Sequence, residues 1–210
     1  MTKFSKNSCY YWLFLLFTNN YYYLNAQTKN NENVFQGWVG YITNIRLNQK
    51  YSLSNDVHYN PTAFLVVRTG ITRQINENIN FTFGYAWART ATSFSDNLIR
   101  KEHRPWGQLV ANLPIPNSRI QLNYRLRYDM RFRQKIENNQ LTEDWILVHR
   151  VRFLTGFRIP LSPSTQKNTL FLNIFDEVLL NFGEMIVRNN LDQNRIGILL
   201  GKTYKSMFKK

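Results

Sequence analysis

A strict alternation of residue types over Arg119–Arg133 constrains the fold of this chain more than any other feature of the sequence. Its even positions are all apolar or aromatic: Ile120, Leu122, Tyr124, Leu126, Tyr128, Met130 and Phe132. Its odd positions are all polar: Arg119, Gln121, Asn123, Arg125, Arg127, Asp129, Arg131 and Arg133. Because strand side chains alternate between two faces, one face is oily and the other mostly guanidinium. A barrel wall with lipid outside and a polar lumen inside accommodates both faces, so the stretch predicts a transmembrane β-strand.

The composition is compatible with a barrel and disfavours a helical membrane bundle. Hydrophobic residues make up 43% of the 210-residue chain and aromatic residues 15%, while the mean hydropathy is −0.42. A helical bundle needs stretches of about 20 apolar residues, whereas a barrel strand needs an apolar residue only at every second position. The net charge of +14 raises the possibility of nucleic-acid binding. Since the arginines alternate with apolar residues, a polar lumen explains them better, and we expect no nucleic-acid partner.

The first residues are typical of a secretory signal peptide. We predict that it covers residues 1–26, with lysines followed by a short apolar run, Tyr10–Phe17, and cleavage between Ala26 and Gln27. The alternative is an N-terminal anchor that is never cut. The single cysteine, Cys9, lies inside this segment, so the mature chain is expected to have no disulfide and no cysteine-ligated metal.

Residues 27–34 read as a linker and residues 35–210 as one barrel domain. Nine segments have a strand pattern: Phe35–Ile42, Gln49–Tyr59, Thr62–Arg73, Asn78–Ala91, Arg100–Leu113, Arg119–Arg133, Asp144–Ile159, Thr169–Asn181 and Asn194–Lys202. The predicted fold is therefore all-β, an antiparallel up-and-down transmembrane β-barrel of about eight to ten strands. Because bacterial barrels normally have an even number of strands, we expect the chain to lack one or more C-terminal strands.

Two details conflict with a regular barrel. Pro105 lies inside a predicted strand, so either that strand starts after Pro105 or a bulge lies there. The longer predicted connections, at 90–98, 134–143 and 182–191, fall on the periplasmic side if the N-terminus is periplasmic. Either a strand near the N-terminus is missing from the count, or the barrel does not follow the usual rule of short periplasmic turns.

The alternation predicts a lumen rich in paired charges. The residues expected to point inward are Glu102, Arg104, Arg125, Arg127, Asp129, Arg150, Arg152, Glu177 and Arg195. Charges inside a small barrel must pair, and the planar guanidinium can bind both oxygens of one carboxylate. Two interpretations remain open: ion pairs that plug the lumen and fix strand register, or an anion-selective passage, since arginines outnumber carboxylates.

Several short motifs carry a resemblance to a known family. They are Trp38 with Gly40-Tyr41, the run Glu102–Leu109 (EHRPWGQL), the Arg-x-Arg pairs, Asp176-Glu177-Val178 and Gln193-Asn194-Arg195. With these motifs the chain resembles domain-of-unknown-function family 2490 from about Phe35 to Gly201. The resemblance implies a β-barrel in the outer membrane of Gram-negative bacteria, without an established activity. It also implies further strands beyond the end of this chain.

The sequence gives little support for catalysis. None of its histidines, His58, His103 and His149, lies in a nucleophile motif, and no phosphate loop, calcium loop or zinc motif is present. We therefore expect no catalytic residue, no cofactor and no metal site. The expected protein is an outer-membrane β-barrel with a structural or transport-related role. Its partners would be outer-membrane lipid, lipopolysaccharide and the assembly machinery. The rivals are a barrel enzyme acting on lipid or lipopolysaccharide, and a secreted β-protein that binds polyanions.

Overall fold

The fold is a single curled antiparallel sheet. The structure, a computed structural model, describes residues 37–91, 98–163, 169–183, 186 and 190–203, with the backbone alone of 9–13, 204 and 205. The described residues form a 10-stranded sheet in the order β1-β10-β9-β8-β7-β6-β5-β4-β3-β2. Every neighbouring pair is antiparallel. Among these residues no helix is long and apolar enough to cross a membrane.

From β2 to β10 each strand pairs with the next one in the chain. The strands are β1 (Cys9–Leu13), β2 (Val39–Arg46), β3 (Tyr51–Asn60), β4 (Phe64–Gln74), β5 (Ile79–Ala91), β6 (Ile99–Pro114), β7 (Gln121–Glu137), β8 (Gln140–Pro160), β9 (Thr169–Phe182) and β10 (Leu191–Lys205). The prediction of an all-β, antiparallel up-and-down fold of about eight to ten strands is confirmed.

The alternation in β7 sorts its side chains onto two faces, as predicted. Leu126 is 50% exposed, whereas its neighbour Arg127 is 5% exposed. The same separation continues along the sheet, because the antiparallel register places like-facing residues opposite one another. For example, Leu126 lies opposite Leu109 of β6 and Phe153 of β8. One face of the sheet is therefore charged and the other apolar.

The sheet curls so that its charged face is concave. Arg152 of β8 lies within electrostatic range of His58 of β3 and Arg68 of β4, which are far away in strand order. The short strand β1, at one edge of the sheet, contacts β2 at the other edge. Side chains of the inner face therefore influence one another electrostatically across the interior.

The opposite, convex face exposes large apolar side chains on every strand from β2 to β10. On β10, for example, Ile196 is 64% exposed. Others with high exposure are Tyr41, Ile45, Tyr59, Ile71, Phe83, Tyr85, Leu126, Trp145, Phe153, Phe157, Ile174, Ile198 and Leu200. Monomeric soluble proteins rarely expose a contiguous apolar surface of this extent.

The strand β1 lies within the predicted signal peptide. Cys9–Leu13 pairs with the end of β10, from Cys9 opposite Lys205 to Leu13 opposite Gly201. It lies near the N-terminus, where one alternative for the connection lengths placed a further strand, but it belongs to the segment predicted to be cleaved. The other residues of the predicted signal peptide and the predicted linker, 27–34, lie outside the described residues.

The expectation that β6 starts after Pro105 or contains a bulge there is wrong. Pro105 lies inside β6, opposite Tyr85 of β5. On the other side, the ladder with β7 skips Arg104 and Pro105 but keeps its register from His103 to Trp106. Because proline has no N–H to donate, the strand loses pairing locally without needing an extra residue.

Two other predicted boundaries are wrong. The connection expected at 134–143 is a continuation of β7 and β8, which meet at a tight turn, Asn138-Asn139, with φ of 49° and 59°. Asparagine tolerates this left-handed backbone, and paired positive φ values match the hairpin turn that suits strand twist. The first barrel strand runs from Val39 to Arg46 instead of Phe35–Ile42, and residues 35–36 lie outside the described residues.

Candidate functional site

The concave face carries a network of charged side chains that includes all nine residues predicted to point inward. The structure does not bring them into one site. It divides them among four carboxylate-centred groups on β6 to β10, and a fifth group, on β3 and β4, contains charged residues that sequence reasoning did not select.

The first group has Glu177 of β9 at its centre. Arg152 binds it with both ends of the guanidinium fork, donating from Nε to Oε1 at 2.9 Å and from Nη2 to Oε2 at 3.0 Å. Arg125 donates from Nη2 to Oε1 at 2.7 Å, and Arg195 approaches Oε2 to 3.8 Å. The carboxylate therefore links β7, β8, β9 and β10, which explains how an ion pair can fix strand register here.

The second group, the Glu102 cluster, consists of Arg100, Glu102, Arg104, Arg131 and Arg133. Glu102 is 0% exposed and accepts a hydrogen bond from Arg104 Nη2 at 2.7 Å. Arg131 donates to both oxygens of Glu102, with its Nη2 at 3.2 Å from Oε2. Arg131 was not among the nine predicted residues, although its odd position in the β7 alternation marks it as inward-facing.

The third group combines an ion pair with aromatic stacking. Arg127 donates from Nε and Nη2 to Oδ1 of Asp129 at 2.9 and 2.7 Å, and its guanidinium lies 4.2 Å from the ring centre of Trp106. The indole occupies the space left by two facing glycines, Gly70 and Gly84. A Cβ at Gly84 would lie 2.7 Å from the Trp106 ring. Glycine is needed here for a close approach of side chain to backbone.

The fourth group lies at the junction of β8, β9 and β10. Arg150 donates from Nε to Asn181 Oδ1 at 2.8 Å and from Nη2 to Asp192 Oδ2 at 2.7 Å. Asp192 was missed because the predicted β10 began two residues later, at Asn194.

The fifth group was missed altogether by sequence reasoning. Arg68 of β4 donates from Nε to Oδ1 of Asp56 on β3 at 2.6 Å, and His58 Nε2 lies 3.5 Å from the same oxygen. The signal was present, because Asp56 and His58 share the polar face of the predicted strand Gln49–Tyr59. Arg68 was overlooked because the pattern of β4 is weaker.

The other two histidines lie on the convex face, where they have tyrosine partners. His149 stacks on Tyr128 with ring centres 5.9 Å apart and an interplanar angle of 10°. The Tyr128 hydroxyl lies 2.6 Å from His149 Nδ1, and His103 has Tyr85 as the corresponding partner. His103 and Glu102 thus point to opposite faces, as expected for neighbours in a strand.

The chemistry of the concave face is that of a densely paired, arginine-rich interior. In the part of the chain that the structure describes, inward arginines outnumber inward carboxylates: Arg68, Arg100, Arg104, Arg125, Arg127, Arg131, Arg133, Arg150, Arg152, Arg158 and Arg195 face Asp56, Glu102, Asp129, Glu177 and Asp192. Within the described ranges, no three histidine, cysteine or acidic residues are grouped as a metal site would require. The ion pairs therefore stabilise the interior, and the excess of arginine makes it suited to binding anions.

Comparison with known proteins gives a family assignment. Residues 35–208 match the family described as Protein of unknown function (DUF2490). No curated protein and no solved structure matches the chain. The match covers the whole of β2 to β10, including all five carboxylate-centred groups. This chain therefore belongs to the DUF2490 family.

Proposed function

We propose that this protein is a β-barrel of the outer membrane of Gram-negative bacteria, with a structural or transport-related role. The observation that carries the proposal is the convex face, whose apolar side chains are exposed on nine successive strands. In water this surface would drive aggregation, whereas in a bilayer it is the surface that contacts lipid. Outer-membrane lipid, lipopolysaccharide and the assembly machinery would then be its partners.

The concave face supports a lumen that is filled by its own side chains. Glu177 and Glu102 each bind arginines from other strands, and Trp106 fills the space beside Arg127. An unpaired charge in such an interior is costly, so pairing and filling stabilise the wall. We therefore favour a plugged, structural interior over an open passage.

The rival functions have less support. Polyanion binding by a secreted protein needs accessible basic residues, but Arg127 and Arg131 are buried on the concave face. A barrel hydrolase with a Ser/His pair needs a serine beside a histidine. The hydrogen bonds of His103 and His149 within the described residues are to tyrosines.

Cell fractionation combined with electrophoresis tests the proposal. We expect the protein in the outer-membrane fraction, and we expect its folded form to migrate differently in detergent gels before and after boiling. Recovery in the soluble periplasm, with the same migration before and after boiling, would contradict the proposal. A lipase assay on the purified barrel tests the alternative of a barrel enzyme acting on lipid, and we expect no hydrolysis.

A further inference from the structure

The Glu102 cluster contains more positive charge than its carboxylate can balance. Arg100, Glu102 and Arg104 alternate on the inner face of β6, and Glu102 lies opposite Arg133 in the ladder with β7. Arg104 and Arg131 together use both oxygens of Glu102. Within the described residues, Arg100 and Arg133 form no ion pair with a carboxylate. The cluster therefore has four guanidinium groups around one carboxylate.

The neighbouring group increases this imbalance. Arg150 lies within electrostatic range of both Arg131 and Arg104. Its own carboxylate partner is Asp192, at 2.7 Å, so Asp192 does not balance the cluster. A strongly positive potential is the expected result, and it attracts a small anion into this part of the interior.

Several donors of the cluster are buried and have no hydrogen-bond partner. Counting partners among the described residues only, they are the Nε atoms of Arg100, Arg104 and Arg133, Nη1 of Arg131, and the hydroxyl of Thr90, which lies opposite Arg100. The side chain of Arg131 is only 6% exposed. Leaving a buried donor unsatisfied is unfavourable, and more so when the group is charged. The four guanidinium groups lie at neighbouring positions of β6 and β7, and their free donors are of the type that a phosphate or carboxylate satisfies.

We propose that the Glu102 cluster binds a small oxyanion of the phosphate or carboxylate type. The proposal rests on the proposed function, because it places the oxyanion inside the lumen of the barrel. Arg104 and Arg131 are held in place by Glu102, whereas Arg100 and Arg133 remain free of carboxylate partners among the described residues and supply the binding charge. Arg100 is the second residue of β6, so the site lies near the strand ends that carry the β5–β6 connection.

Phosphate titration of the purified, folded barrel in detergent tests the site. The thermal unfolding midpoint is measured against inorganic phosphate and against malonate, with chloride keeping the ionic strength constant. Saturable stabilisation is expected, and phosphate and malonate separate the two oxyanion classes. The double variant Arg100→Gln/Arg133→Gln should bind roughly tenfold or more weakly, since it loses at least one charge-assisted hydrogen bond.

The control is Arg73→Gln, which removes the same type of charge from an exposed position at the opposite end of the sheet. It should respond to phosphate as the wild type does. If the double variant does not fold, the single variant Arg100→Gln replaces it, because Arg100 is only half-buried. An equal phosphate response in wild type and variants, or none in the wild type beyond chloride, overturns the site. In each case heat-modifiable migration is recorded first, so failure of the barrel itself is recognised separately.

Discussion

At the scale of single residues, the carboxylates on the concave face determine whether the arginine-rich interior is stable in the folded protein. Glu177 is nearly fully buried and binds Arg125 and Arg152 at hydrogen-bond distance. Removing one member of a buried ion pair leaves the other charge uncompensated, which costs about 3–5 kcal/mol. The carboxylates are therefore expected to matter more for folding than any single arginine.

We expect Glu177→Gln to lower the free energy of unfolding by about 3 kcal/mol, because two arginines lose their common counter-ion. The measurement is the urea dependence of the heat-modifiable band. Glu77→Gln is the matched control, since Glu77 is exposed in the β4–β5 turn, and it should change stability by less than about 0.5 kcal/mol. If both variants unfold like the wild type, Glu177 does not stabilise the interior.

The glycine under Trp106 provides a second test at this scale. We expect Gly84→Ala to destabilise the protein by about 1–3 kcal/mol, because the added Cβ would clash with the backbone carbonyl of Thr69 and with the Trp106 ring, which contacts Arg127. The control is Gly107→Ala, whose Cβ would meet its nearest neighbour, Phe81, at an ordinary 3.7 Å. Chemical unfolding of both variants measures the difference. Equal stability of the two would show that the sheet and Trp106 accommodate a Cβ at Gly84 and that glycine is not required there.

At the scale of elements, strongly alternating strands could be predicted and weakly patterned boundaries could not. The β7 alternation predicted which face each side chain occupies, because a period of two determines facing once one residue is placed. The end of β7 was missed because the turn at Asn138-Asn139 is defined by its backbone conformation more than by the polarity of its residues. Pro105 was predicted to break β6, but a strand can lose one ladder without shifting register.

The same limits explain the charge network. The alternation of residue types predicted which side chains point inward, so all nine predicted residues could be placed on the charged face. Which carboxylate binds which arginine depends on the register between strands that are not adjacent in sequence, as with Arg125 of β7 and Glu177 of β9. The pair of Asp192 on β10 and Arg150 on β8 was found only in the structure for the same reason, whereas Asp56 with Arg68 was missed because the pattern of β4 is weaker.

The segment that contains β1 allows a prediction about processing. We expect cleavage after Ala26, because lysines, a short apolar run and a small residue at the cleavage site are the features of a signal peptide. Mass spectrometry of the protein purified from outer membranes should then give an N-terminus at Gln27. Retention of Cys9–Leu13 in the purified protein would contradict cleavage, and β1 would then be a lasting partner of β10.

At the scale of the whole molecule, the two faces of the sheet differ sharply in polarity. The concave face holds buried arginines and carboxylates, and the convex face holds exposed aliphatic and aromatic side chains. Each face is unsuited to the environment of the other, because charges are costly in lipid and extended apolar surface is costly in water. Their separation over nine strands is therefore best explained by a wall between lipid and a polar interior.

Lipid contact measured at neighbouring positions of one strand tests whether the convex face is the lipid-facing surface. Single cysteines replace Leu122 or Asn123 on β7, and Leu109 or Gln108 on β6, in a Cys9→Ser background, and each carries a fluorophore. The two members of each pair lie at nearly the same depth but on opposite faces. In vesicles containing spin-labelled lipid, we expect strong quenching at Leu122 and Leu109 and little at Asn123 and Gln108. Equal quenching within both pairs, or none at any position in folded protein, would contradict a lipid-facing convex wall.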